Sequence, residues 1–298
     1  PFKAEAAPLM VAYGMGVDST AMLVGLHQRG LRPDAILFAD TGSEKPETYA
    51  YLPIIQAWLA SVDFPPVVVV KRKPCEGKNG YYETIEQNVI VNSTLPSLAF
   101  AGRACSVKWK HEPQERWARQ WAPARRAWAT GQKVRKMIGY DDGPADRRRP
   151  NIENDKHYEY EYPLRSWGWD RDECKRQIAG AGLPVPGKSA CYFCPSAKPC
   201  ELLDGMCPEQ LRKIIEIEAG AEPRLRKVEG LWRRAVKGFR GATKKPGRMS
   251  EFIVGEELLP EFEGQTLVDP WWKKDGPQQP TNETFRSAQA FRVTQEAT

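Results

Sequence analysis

The chain alternates short apolar runs with longer stretches of helical spacing, and this alternation limits its fold more than any other feature. "PLMVAY" (8–13), "DAILFAD" (34–40) and "PPVVVVKRK" (65–73) read as buried strands. Between them, "STAMLVGLHQRG" (19–30) has helical spacing and stops at Gly30, and "KPETYAYLPIIQAWLASV" (45–62) reads as a second amphipathic helix. Strands joined through helices by short links lie parallel, with right-handed crossovers. The expected fold is α/β: a parallel sheet with helices on both faces. A further strand is expected at "KVRKMIGY" (133–140), and helices at "HEPQERWARQWA" (111–122) and "RDECKRQIAGAG" (171–182). From Pro208 a helix-like run reaches Phe239, and a polar tail follows from Pro277. The expected division is an α/β domain over 1–165, a cysteine-rich segment over 166–207 and a basic helical region with its tail over 208–298.

The first strand and the first helix meet at "YGMGVDSTAML" (13–23). A glycine turn at such a junction is an anion site, because backbone N–H groups and the helix dipole both favour phosphate there. Gly14 and Gly16 let a ligand approach the backbone. Asp18 and Ser19 are expected at the helix start, as cap and phosphate donor, with Thr20 beside them. The plainer reading is an ordinary N-cap with tight-turn glycines.

Seven cysteines are an odd number in a chain of 298 residues, which points to reduced thiols and a cytoplasmic setting rather than a disulfide framework. Cys191, Cys194, Cys200 and Cys207 fall within seventeen residues. Only three histidines occur, so sulfur-only ligation of zinc or an iron–sulfur cluster is the metal chemistry expected. Cys75 and Cys174 stand apart and read as structural. No window of eighteen apolar residues exists, so no membrane span is expected. The net charge of +6 points weakly to an anionic partner.

"GLPVPGKS" (182–189) fits the spacing of a P-loop. It follows a helical segment instead of a strand, and Pro184 and Pro186 remove two backbone donors. It therefore reads as a loop presenting Cys191, with Lys188 as an anion contact.

"GMGVDST" resembles the Ser-Gly-Gly-x-Asp-Ser pyrophosphate loop of the adenine-nucleotide α-hydrolase superfamily of ATP pyrophosphatases. Gly14 stands at the Ser position and Met15 at the first Gly, while Gly16, Val17, Asp18 and Ser19 match. Further segments resemble the phosphoadenylyl-sulfate reductase-like members, in their order. They are "FADTGSEKPETY" (38–49), "CSVKWK" (105–110), "IGYDDGPADR" (138–147), "YPLRSWGWDRDEC" (162–174) and "SACYFCP" (189–195). The resemblance implies that ATP and Mg²⁺ are bound and that ATP is cleaved between its α and β phosphates. Catalysis falls to Asp18, Ser19 and Lys108. The nucleotide is held by Gly14, Gly16, Thr20, Asp40, Thr41, Gly139 and Arg147 as well as Asp18 and Ser19. Where the family's iron–sulfur reductases carry an upstream Cys-Cys, this chain has Ala104–Cys105, and Cys200 supplies the missing ligand. The implied 4Fe–4S ligands are Cys105, Cys191, Cys194 and Cys200, with Cys207 in reserve. This pattern is closest to the sulfurtransferase-like relatives of DNA phosphorothioation.

No cysteine follows Cys207, whereas sulfonucleotide reductases of this family use a nucleophilic cysteine in a C-terminal tail. From Arg224 to Arg248 there are ten Lys or Arg and one acidic residue, with Trp232 and Phe239 interleaved. Such a run suits a nucleic-acid backbone with stacked bases, or else is a solvated helix face over a core. The expected protein is an ATP pyrophosphatase that adenylates a substrate and transfers sulfur to DNA or RNA. Its sulfur donor is expected to be a cysteine desulfurase. Two alternatives stand beside it: a sulfonucleotide reductase using an external thiol, and a nucleotide- or nucleic-acid-binding module without turnover.

Overall fold

The computed structural model describes residues 6–96, 104–203, 205–226, 228–232 and 246–263. The chain divides into two interleaved compact units. The first takes residues 1–73 and 105–191, and the second takes 74–104 and 192–298. The segment 166–207 is thus shared, with Cys191 closing one unit and Tyr192 opening part of the other.

The first unit begins with β1 (Leu9–Ala12), α1 (Val17–Gln28), β2 (Ala35–Asp40), α2 (Pro46–Ser61) and β3 (Val67–Lys71). It continues with α3 (Glu112–Ala118), α4 (Ala122–Ala129), β4 (Val134–Ile138), β5 (Tyr158–Glu161) and α5 (Arg171–Gly180). The five strands form one sheet in the order β3-β2-β1-β4-β5, and every pairing is parallel. Met10 lies opposite Ala35 on one side and Lys136 on the other.

Period-two alternation sorts the strand residues to two cores. Leu9, Val11, Ile36, Phe38 and Met137 pack against α1, α2 and α5, where Leu23, Ile55 and Ile178 are fully buried. Met10, Ala35, Leu37 and Val134 pack on the other face against Ala118 of α3 and Ala124 of α4. Helices therefore cover both faces, as the strand–helix alternation predicts.

The strand order reverses direction at β1. The chain steps from β1 out to β3, then returns to add β4 on the other side of β1. At such a switch point the crevice outside the carboxyl ends of the strands is where ligands bind in open α/β sheets. The glycine loop follows β1, and "GYDDGPADR" follows β4.

In the second unit a two-stranded antiparallel hairpin, Cys75–Gly77 with Gly80–Tyr82, precedes a helix at Ile85–Val91. α6 (Pro208–Ala221) and α7 (Met249–Gly255) follow. The long helix expected from Pro208 to Phe239 ends at Ala221, two residues before Pro223, which cannot supply the N–H a continuing helix needs. Among the described residues no helix is long and apolar enough to cross a membrane.

Candidate functional site

The loop from Tyr13 to Gly16 turns sharply enough that Met15 sits at φ +59°, a left-handed conformation unusual for a side-chain-bearing residue. This is the position where the resembling family has glycine. Met15 adopts it because its side chain, 1% exposed, is held in the core. Helix α1 begins at Val17, with Gly16 as its N-cap and no side-chain cap. Asp18 therefore lies inside the first turn, and the expectation that it caps the helix is corrected. Ser19 does the local bonding: its Oγ accepts from the Gly14 N–H and donates to the Gly16 carbonyl, both at 3.2 Å. Thr20 turns inward, fully buried, with its hydroxyl 3.1 Å from the Tyr13 hydroxyl. Its role is to pin the loop to the core.

Gly139, the first residue after β4, touches the start of α1. A β-carbon there would lie 3.0 Å from both Cα and N of Ser19. Only glycine allows the two loops at the switch point to approach this closely.

That approach assembles a carboxylate cluster. Asp18, Asp141 and Asp146 bring one oxygen each to within 4.8 Å of one another, the only such group of three or more His, Cys, Asp or Glu ligands among the described residues. Asp141 and Asp146 are buried at 7% and 8% exposure. Asp141 also accepts from the Gly143 N–H at 2.8 Å, and Asp146 pairs with Arg149 at 3.2 Å. Burial lifts the Asp18 carboxyl to about 6; Asp141 and Asp146 push it the same way, and Arg171 opposes them. The Arg171 guanidinium meets Asp18 at 2.6 Å. In "IGYDDGPADR" the sequence points to Gly139 and Arg147 and not to Asp141 or Asp146, and it does not point to Arg171. The signal available was the pair of acids in a glycine-bearing loop directly after a strand.

A second cluster forms where β2 ends. Asp40, 6% exposed, accepts from the Gly42 N–H and the Tyr49 hydroxyl, both at 2.8 Å, and pairs with Lys71 at 3.0 Å. Thr41 donates to Glu44 at 3.2 Å, and its oxygen lies 3.2 Å from the Cys191 sulfur. Glu44 is buried and meets Lys110 at 3.0 Å. The backbone bridges Glu44 to Cys191, and the Lys45 N–H donates to the Ala190 carbonyl at 3.1 Å. The segment 184–190 is irregular and lays Cys191 against this turn, so it is a presenting loop and not a P-loop.

Other expected residues stand apart. The Arg147 side chain is exposed and bound bidentately to Asp142 at 2.8 and 2.6 Å. Lys108 lies in a wide-turn helix at Val107–His111, its carbonyl accepting from Arg72 at 3.2 Å. Cys105 and Cys191 belong to the first unit, and Cys194 and Cys200 to the second. Cys174 is fully buried in the core, and burial pushes its thiol up to about 12, as a structural cysteine requires. Cys75 lies half-buried in the hairpin.

Of the basic run 224–248, residues 227 and 233–245, including Phe239, lie outside the described residues. Trp232, offered by the sequence as a base platform, is instead 5% exposed; its indole donates to the Ala197 carbonyl at 2.9 Å and packs on Phe252.

No family model matches the chain, and no curated protein matches it.

Proposed function

We propose that the protein is an ATP pyrophosphatase whose phosphate and metal site lies at the β1/β4 switch point. The observation that carries this reading is the convergence of Asp18, Asp141 and Asp146 beside the glycine loop. An all-oxygen, three-carboxylate donor set matches the preference of Mg²⁺ for hard ligands, so these residues fit the ion. Mg²⁺ held there would offset charge developing on a departing pyrophosphate.

The chain's own groups supply the rest. The loop N–H groups and the start of α1 favour the phosphates by hydrogen bonding and by the helix dipole. Arg171 is placed to exchange Asp18 for a phosphate oxygen when nucleotide arrives. An acceptor oxygen attacks the α-phosphorus, the bond from that phosphorus to the α–β bridging oxygen breaks, and pyrophosphate leaves. The acceptor oxygen, now bonded to AMP, has become a good leaving group.

The later step rests on the sequence pattern. The cysteine content supports a sulfurtransferase reading with a 4Fe–4S cluster, and the basic run 224–248 supports a nucleic-acid acceptor. The absence of cysteine after Cys207 weighs against a sulfonucleotide reductase.

Equilibrium binding of ATP, with and without Mg²⁺, tests the reading, together with an assay for AMP and pyrophosphate in the presence of tRNA or DNA. Wild type should bind ATP more tightly with Mg²⁺, and Asp18→Asn should lose that increment while folding normally. Failure of ATP to bind at millimolar concentration would overturn the reading, as would an unchanged Mg²⁺ dependence in Asp18→Asn.

A further inference from the structure

A cavity of about 860 Å³ lies at the amino-terminal end of the sheet. Pro8 precedes β1, Asp34 precedes β2 and Gln132 precedes β4, and all three line it. The glycine loop leaves the opposite end of β1, so the two places are separate. The other wall is the end of α4 and the turn after it, with Arg126, Thr130 and Gly131. Gly131 has φ +77°, which lets the chain bend there from helix to strand. Pockets that hold small organic ligands measure roughly 300–1,000 Å³, so a nucleoside fits this one.

The lining offers both donors and acceptors, as the edge of a base requires. The Asp34 carboxylate accepts from the Leu9 N–H at 2.8 Å through one oxygen, which leaves acceptor capacity on the other. The Thr130 hydroxyl donates to the Ala127 carbonyl at 2.9 Å and keeps its lone pairs as acceptors. Arg126 brings guanidinium donors and Gln132 a carboxamide.

The surface beside the cavity is basic. No Asp or Glu occurs from Arg116 to Tyr140, a stretch that holds seven Lys or Arg. Arg135 pairs with Glu161 at 2.5 Å and Lys136 with Glu115 at 3.2 Å. Arg119, Arg125 and Arg126 are exposed. Arg119 follows the last residue of α3, and the other two stand on α4, whose inner residues Ala124 and Ala127 are buried. Trp117 and Trp121 stack across the α3–α4 junction with ring centres 5.4 Å apart, so the three arginines rise from a braced frame. A solvated helix face carries charges of both signs, and this one carries a single sign.

We infer that this surface binds a single strand of nucleic acid, with phosphates on Arg119, Arg125 and Arg126 and one nucleoside in the cavity. Planar guanidinium forks suit phosphate oxygens. The positive charge extends along two helices beyond the cavity, so the ligand is a polyanion longer than one nucleotide. A base enters the cavity only when it is unstacked and unpaired, which selects a single strand over a duplex. ATP takes no part in this contact, so it stands apart from the nucleotide reading.

Fluorescence anisotropy on the full chain tests it, with short labelled single strands of DNA and RNA and with the matching duplex. A single strand should bind at low salt, and the duplex more weakly. Replacing Arg119, Arg125 and Arg126 by Gln should flatten the dependence of log affinity on log salt by about two units, from three phosphates at about 0.7 each. Ala129→Trp, at an exposed position that lines the cavity, fills it without changing charge. It should weaken single-strand binding by about fivefold or more, the value of one lost base contact, and leave the salt slope unchanged. All four positions are on the surface, so the melting temperatures of both variants should match wild type. Equal salt slopes in wild type and the triple variant overturn the inference, as does wild-type affinity in Ala129→Trp. A duplex that binds as tightly as the single strand overturns it too, and so does failure of both single strands to bind at low salt.

Discussion

Asp18 and Arg171 form an ion pair at 2.6 Å although 153 positions separate them in the chain. The pair ties the first turn of α1 to the first residue of α5, and the packing of Leu23 of α1 and Ile178 of α5 in one core makes the alignment a property of that core. It leaves Asp18 between one cation and two carboxylates, and its proton affinity follows from that position.

The first prediction concerns pH. Folding raises the Asp18 pKa from 3.8 to about 6. This group therefore stabilises the metal-free protein fully below about 3.8, and the contribution is lost as pH rises through about 6. Mg²⁺ needs the carboxylate, so metal affinity should rise over the same interval. Arg171→Gln removes the group that holds Asp18 down and should move the midpoint upward; Asp18→Asn should flatten the profile. Titration calorimetry with Mg²⁺ between pH 5 and pH 8 measures it, and a pH-independent affinity would contradict the placement of Asp18.

The second concerns the strained loop. Met15→Gly relieves a left-handed residue worth roughly 1 kcal/mol. It also empties a core position, and truncating a buried Met costs about 2–5 kcal/mol. Burial outweighs strain, so the variant should be less stable by about 1–4 kcal/mol, although glycine suits the backbone better. Urea unfolding decides the sign; a stabilised variant would show that the Met15 packing contributes little.

The third concerns Gly139. Its added methyl in Gly139→Ala would press on backbone atoms of Ser19 that cannot rotate away. Overpacking of this kind costs about 1–3 kcal/mol. The loops should separate, so ATP affinity should fall more than stability does. Parallel thermal melts and ATP titrations check this, and a variant with wild-type ATP affinity would refute the close approach.

The fourth concerns Glu218 of α6, 2% exposed. It accepts from the N–H groups of Leu231 at 2.6 Å, Met249 at 3.1 Å and Ser250 at 2.8 Å, and from the Ser250 hydroxyl. Burial pushes its carboxyl up while these donors pull it down. Glu218→Gln turns an amide group toward N–H donors, and each donor left without an acceptor costs about 1–3 kcal/mol. The loss should appear as a lower unfolding midpoint, and an unchanged midpoint would deny Glu218 its place as the hub of the second unit.

The last concerns the basic run. If Arg233, Arg234, Lys237 and Arg240 neutralise phosphates, replacing all four by Gln should flatten the salt dependence of nucleic-acid binding by about three to four units. ATP affinity should be unchanged. Anisotropy titrations on DNA and RNA across salt concentration test it, and equal slopes for wild type and variant would remove this run from the interface.

The strand–helix alternation determined the class of fold because period two and period 3.6 are local properties, readable wherever the apolar residues fall. "PLMVAY", "DAILFAD" and "PPVVVVKRK" all became strands of one parallel sheet. The glycine loop was legible for the same reason: strand, turn and helix start are adjacent in the chain. Helix limits were less so, since the register of Asp18 in α1 depends on how Gly16 is bent, and the end of α6 on Pro223. The carboxylate site was decided by tertiary structure alone. Nothing near Asp18 in the sequence points to Asp141, Asp146 or Arg171, which are brought in because β4 returns to pair with β1 and because Gly139 carries no side chain. The same is true of the cavity beside Arg126, whose lining residues Pro8, Asp34 and Gln132 precede three different strands and meet only when the sheet forms. Local patterns specify elements; which elements become neighbours is settled by burying both faces of the sheet at once, and chemistry built between neighbours appears only then.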